Sequence, residues 1–172
     1  MRDSFVAKYQ RDDRVTVVPP GLSDDPGTAT LCEYPDQPRL SSIVRYPHKG
    51  QVPSEVEVVA TTGDQIVQSQ AFAVVDLLKI DVGSFELSIL RGFATGLHQR
   101  AIRLIQFEYG RSNLNSWSLL LEFYRFLEPL GYGIGEVKPG RVEFADYSPA
   151  RENCFLTNCA AKLLDSKPEI VN

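Results

Sequence analysis

One nine-residue run, Val74–Val82, decides how this chain can fold. Its residues Val74, Val75, Leu77, Leu78, Ile80 and Val82 are apolar and largely β-branched, interrupted only by Asp76, Lys79 and Asp81. That is the pattern of a strand covered on both faces. The run ends in Asp81-Val82-Gly83-Ser84, after which Phe85, Ile89, Leu90, Phe93 and Leu97 recur at helical spacing. Ser84 suits the N-cap of that helix, because its hydroxyl can accept one of the orphan backbone N–H groups of the first turn. A strand feeding a helix in this way needs a sheet to join and a core to cover.

The rest of the chain supplies both. Ala101–Glu108 reads as a second buried strand, and Leu119–Leu130 as a helix with Leu120, Phe123, Tyr124 and Leu127 on its core face. Gly131 is placed as the left-handed residue that ends it. Tyr132–Val137 and Cys154–Leu163 give two further strands. Upstream, Val15–Val18 is a short β-branched strand stopped by Pro19-Pro20, since proline cannot donate to a ladder. Thr28–Cys32 is extended, Pro35–Pro53 a proline-rich loop, Val56–Thr62 an alternating strand and Asp64–Val67 the start of a short helix. Phe5, Val6 and Tyr9 lie on one face of a helix ending within residues 1–11. The order is α/β, with parallel pairs linked by helices in the middle and an antiparallel pair at the end.

Several function classes fall away on composition. The 172 residues allow one domain. With 18 Lys+Arg scattered against 22 Asp+Glu, there is no basic stripe for nucleic acid. The longest apolar run, Ala71–Leu78, is broken by Asp76 and falls far short of a membrane span. Met1-Arg2-Asp3 opens no signal peptide, and Cys32, Cys154 and Cys159 have no zinc-like spacing. These features predict a cytoplasmic, reduced domain without nucleic-acid or membrane partners and without a metal site. The two imidazoles, His48 and His98, read as solvated surface groups, which leaves little for a zinc or nucleophile–histidine enzyme.

Ligands of open α/β sheets bind beyond the carboxyl ends of the strands. That rule selects Asp81 and Glu108, the last charged residues of the two central strands. An acid there can accept a hydrogen bond from a hydroxyl, take its proton or hold a cation. The alternative is that each carboxylate caps the adjoining turn. As cation ligands, two oxygens would suit Mg²⁺ or Mn²⁺ rather than zinc.

Leu78-Lys79-Ile80-Asp81-Val82, followed by Phe85-Glu86-Leu87 and Ile89-Leu90-Arg91-Gly92, resembles the signature of FkbM-type methyltransferases. The likeness continues through Ile105–Tyr109, Tyr124–Leu127, Leu130-Gly131-Tyr132, Glu152–Phe155 and Asn158-Cys159-Ala160. The resemblance implies a Rossmann-like class I methyltransferase fold, a mixed and mostly parallel sheet flanked by helices. It implies S-adenosylmethionine as cofactor and O-methylation of a hydroxyl on a sugar, polyketide or lipid-like small molecule. Asp81 would orient or deprotonate that hydroxyl with Glu108 in support, while Ser84, Tyr109 and Trp117 would bind substrate. For Tyr109 and Trp117, core or loop packing is the other reading. Lys79 belongs to the fold, its stem packed and its head at a rim.

Two departures from the family pattern shape the expectation. Where the family continues from Asp-Val with Glu or Gln and then Gly, this chain has Gly83 and Ser84. No glycine precedes Val15, so the glycine-rich strand–turn–helix that meets the cofactor is not found there. The expectation is one incomplete domain over residues 1–164, lacking the first two strands of the fold, with a frayed tail at 165–172. The Val74–Val82 strand would then carry an uncovered edge through which two copies could pair. The rival function is a non-catalytic α/β binding module.

Overall fold

Eight strands and four α-helices follow one another in the residues that a computed structural model describes, namely 12–34, 41–45, 52–153 and 155–165. Strands β1 (Gly21–Ser23), β2 (Gly27–Glu33) and β3 (Ser54–Thr62) form one sheet in the order β1-β3-β2. A second sheet, ordered β4-β5-β8-β6-β7, is built from β4 (Val75–Ile80), β5 (Ile102–Tyr109), β6 (Tyr132–Lys138), β7 (Arg141–Phe144) and β8 (Thr157–Leu163). The helices are α1 (Gly63–Ser69), α2 (Glu86–Arg91), α3 (Ala94–His98) and α4 (Leu120–Leu127).

The architecture is mixed α/β, but the sheets are not mostly parallel. Only β1·β3 and β4·β5 run parallel; β2·β3, β5·β8, β6·β8 and β6·β7 run antiparallel. The reason lies in the connections. Helices α2 and α3 carry the chain back so that β5 can lie parallel to β4. Pro139-Gly140, with Gly140 at φ +76°, closes β6 onto β7 as a tight hairpin, and β8 then returns between β5 and β6.

The core sits where α2, α3 and α4 meet β5, β6 and β8. Leu90, Leu97, Ile105, Phe107, Phe123 and Leu127 have no exposed surface. Phe107 of β5 stacks on Phe123 of α4 with centroids 4.5 Å apart. On α4 the buried residues are Leu120, Phe123, Tyr124 and Leu127, the face expected from their spacing. Gly131 takes the left-handed conformation expected of it, at φ +91°. Helix starts are held by carboxylates distant in sequence. Asp64 accepts from Thr95 N (2.8 Å) and Gly96 N (2.9 Å) on α3. Glu152 accepts from Leu120 N (3.1 Å) and Leu121 N (2.8 Å) on α4. Gly92 fits because it has no side chain: a Cβ there would lie 2.1 Å from the Ser23 carbonyl oxygen.

Three local expectations are corrected. Val15–Val18 forms no strand; the first strand is β1, after the prolines, because its partner is the end of β3 rather than anything Val15 could reach. β4 is not covered on both faces. Ile80 is buried on one face while Leu77 on the other is 52% exposed. The uncovered edge of β4 is as expected, with β5 its one partner among the described residues. Ser84 does not cap α2. Phe85 is the N-cap residue, without a side-chain bond, and Ser84 lies one position earlier in a left-handed turn at φ +76°. Residues 1–11, His48, Cys154 and the tail from 166 onward lie outside the described residues, as does most of the proline-rich loop.

Candidate functional site

Parallel register sets Ile80 beside Phe107, so the next residues of the two strands, Asp81 and Glu108, stand side by side at the carboxyl end of the sheet. Lys79 Nζ donates to Asp81 Oδ2 at 2.9 Å, and both side chains are about half exposed. The carboxylate raises the pKa of Lys79 above its ordinary value, through the hydrogen bond first and then through its charge. Burial pushes Glu108 above the usual carboxylate range; the Asp81 charge pushes the same way and Lys79 opposes both. Lys79 is thus paired with Asp81 and acts on Glu108 through its charge alone, and of these two acids the one that burial favours in its protonated form is Glu108.

Beyond Asp81 the chain makes an unusual turn. Gly83 (φ +68°) and Ser84 (φ +76°) are both left-handed, a conformation that suits glycine and disfavours any residue with a Cβ. The turn is held from two sides. Ser42 Oγ donates to the Gly83 carbonyl oxygen at 2.9 Å. Glu86 Oε1 accepts from Val82 N and Ser84 N, each at 3.2 Å. Glu86 is 1% exposed, and its Oε2 has no hydrogen-bond partner among the described residues. Burial raises its pKa, opposed by the backbone N–H groups that the carboxylate accepts. The residue patterns did not single out this buried acid as functional. The signal available was an acid in the first turn of a helix, beside Phe85 and Leu87.

The sequence-selected residues do not converge on one cleft. Asp81 lines a cleft of about 910 Å³ between the β1–β3 sheet and the start of α2, with Pro20, Leu22, Ile43, Val58 and Phe85 among its other walls. Ser84 and Trp117 come together instead at a separate cleft of about 430 Å³, which also meets Arg91 and Glu122. Phe85 is the wall between these two. Tyr109 faces neither. It is 1% exposed, donates its hydroxyl to the Glu152 carboxylate and sets its ring edge-on to Phe123 at 6.3 Å. It also lines a third cleft, of about 310 Å³, near Glu136 and Arg151. Trp117 is 86% exposed with φ +56°, on the loop before α4.

The walls of the large cleft bear on what it can hold. Its glycine, Gly21, would meet the Val59 carbonyl oxygen at an ordinary 3.8 Å if it carried a Cβ, so no close backbone cradle is kept open there. Among the described residues no Lys, Arg or His lines the cleft to meet an anion; the ionisable lining groups are Asp81 and Glu57. Among the described residues no three His, Cys, Asp or Glu side chains are grouped to hold a metal ion, and no helix is long and apolar enough to cross a membrane.

Residues 3–134, more than half of the chain, match the family model described as the methyltransferase FkbM domain. No curated protein and no solved structure matches the chain.

Proposed function

The chain belongs to the FkbM methyltransferase domain family, and from that premise we propose that it carries the acceptor side of an O-methyltransferase. The observation that carries the reading is Asp81, a carboxylate at the end of β4 in the wall of a large apolar cleft. An acceptor hydroxyl in the cleft donates its hydrogen to Asp81, while Lys79 holds Oδ2 and fixes the carboxylate. Glu108, with its raised pKa, is the neighbour to which the proton passes. In this reading Ser84 belongs to the turn that sets the height of Asp81, and Trp117 to the rim of the adjoining cleft.

S-adenosylmethionine, the donor that the family implies, would supply the methyl group from its sulfonium. The described residues do not fit it: no glycine cradle and no cation for its carboxylate face the Asp81 cleft. That misfit favours a second reading, a binding module that keeps the α/β core without the chemistry. Calorimetric titration of the chain with S-adenosylhomocysteine separates the two. Micromolar binding, about −8 kcal/mol, supports the enzyme. A folded chain that gives no heat refutes the enzyme for this chain and leaves the binding module. With binding established, Asp81→Asn should lower methyl transfer about 100-fold or more without lowering the melting temperature; unchanged turnover would remove Asp81 from the mechanism.

A further inference from the structure

We infer that the ligand of the Asp81 cleft is a neutral, long-chain apolar molecule bearing a hydroxyl, rather than a sugar or a phosphorylated compound. The inference rests on the reading of Asp81 as the hydroxyl acceptor and goes on to the class of molecule. The side-chain walls Leu22, Leu31, Ile43, Val56, Val58 and Phe85 are all apolar. They come from β1, β2, the 41–45 segment, β3 and the turn before α2, and β3 supplies Val56 and Val58 from the same face of one strand. The volume of about 910 Å³ lies near the top of the range for small-molecule sites, roughly 300–1,000 Å³.

Among the described walls the polar side chains are four, Ser41, Ser42, Glu57 and Asp81, and Ser41, Ser42 and Asp81 have partners within the protein. Ser42 Oγ donates to Gly83 O and accepts from Val44 N, and Ser41 Oγ accepts from Tyr34 N. Lys79 occupies Asp81 Oδ2. A sugar brings several hydroxyls into such a site and loses their hydration, which costs free energy for each group left unmatched. A long-chain alcohol brings one hydroxyl, which Asp81 Oδ1 can accept, and an apolar body for the remaining walls. Among the described walls the ionisable groups are the two carboxylates Asp81 and Glu57, which disfavour an anion beside them.

The test uses the whole 172-residue chain, ¹⁵N-labelled, titrated with 1-octanol, 1-methoxyoctane and methyl α-glucoside and followed by amide chemical shifts. Octanol should bind at least tenfold tighter than either other probe. Val58→Asp, at a half-buried wall position of β3, should weaken octanol tenfold or more. Asp81→Ala should bring octanol down to the level of the ether and leave the ether unchanged. If the glucoside binds more tightly than octanol and loses affinity in Asp81→Ala, Asp81 remains the hydroxyl site and the long-chain inference is overturned. If octanol and its ether bind alike and Asp81→Ala changes neither, the hydroxyl reading of Asp81 fails and the inference falls with it. Absence of binding by all three probes to the folded chain also overturns it.

Discussion

Replacing Glu86 by alanine tests how the turn after β4 is held. Glu86 Oε1 is the acceptor for Val82 N and Ser84 N at 3.2 Å each, in a turn where Gly83 and Ser84 are both left-handed. Alanine leaves both donors without that acceptor. Ser84 is buried, so its N–H costs about 1–3 kcal/mol when unmatched. Val82 is 38% exposed, water can reach it, and its share is about 1 kcal/mol. The sum, about 2–4 kcal/mol, is a large part of a stability of about 5–15 kcal/mol. In urea the midpoint should fall by about 1–2 M, and amide exchange at Val82 and Ser84 should quicken more than exchange in β5. Glu86→Gln keeps a carbonyl oxygen for the two donors and should lose less. The pH dependence has a definite sign. Burial raises the folded pKa of Glu86 above its ordinary 4.5, so its contribution is fully present below the unfolded pKa and declines as pH rises through the folded one. Wild type should therefore lose ground to Glu86→Gln from about pH 4.5 upward. A midpoint change under about 0.3 M for alanine, or identical pH slopes for wild type and glutamine, would refute the account.

Glu152→Ala should cost about 2–4 kcal/mol in chemical denaturation, because it strips the acceptor from Leu120 N and Leu121 N and from the Tyr109 and Tyr147 hydroxyls. Gly92→Ala should destabilise by about 1–3 kcal/mol or more, read as a lower melting temperature with faster amide exchange in β1. Its Cβ would otherwise lie 2.1 Å from the Ser23 carbonyl oxygen. Cys159 is buried and its thiol is pushed up to about 12, by burial above all. At pH 8 it should react with iodoacetamide only as the chain unfolds, and rapid labelling found by mass spectrometry would contradict that burial.

Much of the fold was legible because local chemistry and tertiary role agree. On α4, spacing alone identified Leu120, Phe123, Tyr124 and Leu127, since a helix with one apolar stripe has one way to face a core. Gly131 was legible because a left-handed helix end favours glycine. β4 shows where such reasoning stops. An apolar run signals burial only if something packs on both faces of the sheet, and what covers each face is a property of the whole topology. The face of β4 that carries Ile80 is buried and the face that carries Leu77 is open, so Leu77 stays exposed despite its pattern, whereas the uncovered edge of β4 was expected and is found among the described residues. The antiparallel pairing of β8 with β6 was expected of the last two strands; its insertion beside β5 was hidden, because that depends on where the returning chain finds a gap.

The site was legible in its strand ends and illegible in its turn. Asp81 and Glu108 follow from a rule about sheets, and the parallel register then places them side by side. Ser84 carries a type preference that points the wrong way. Serine commonly caps helices, yet here it stands in a left-handed backbone, where a Cβ costs about 1–2 kcal/mol. That cost is tolerable because the turn is fixed by Ser42 from one side and by the buried Glu86 from the other. The same turn turns Phe85 into a partition between the Asp81 cleft and the Trp117 cleft. Ser84 and Trp117 are thereby kept on the far side of a wall from Asp81. Separating the polar and aromatic candidates from the carboxylate leaves the Asp81 cleft with an apolar lining, and it is this lining that points to a long-chain hydroxyl ligand.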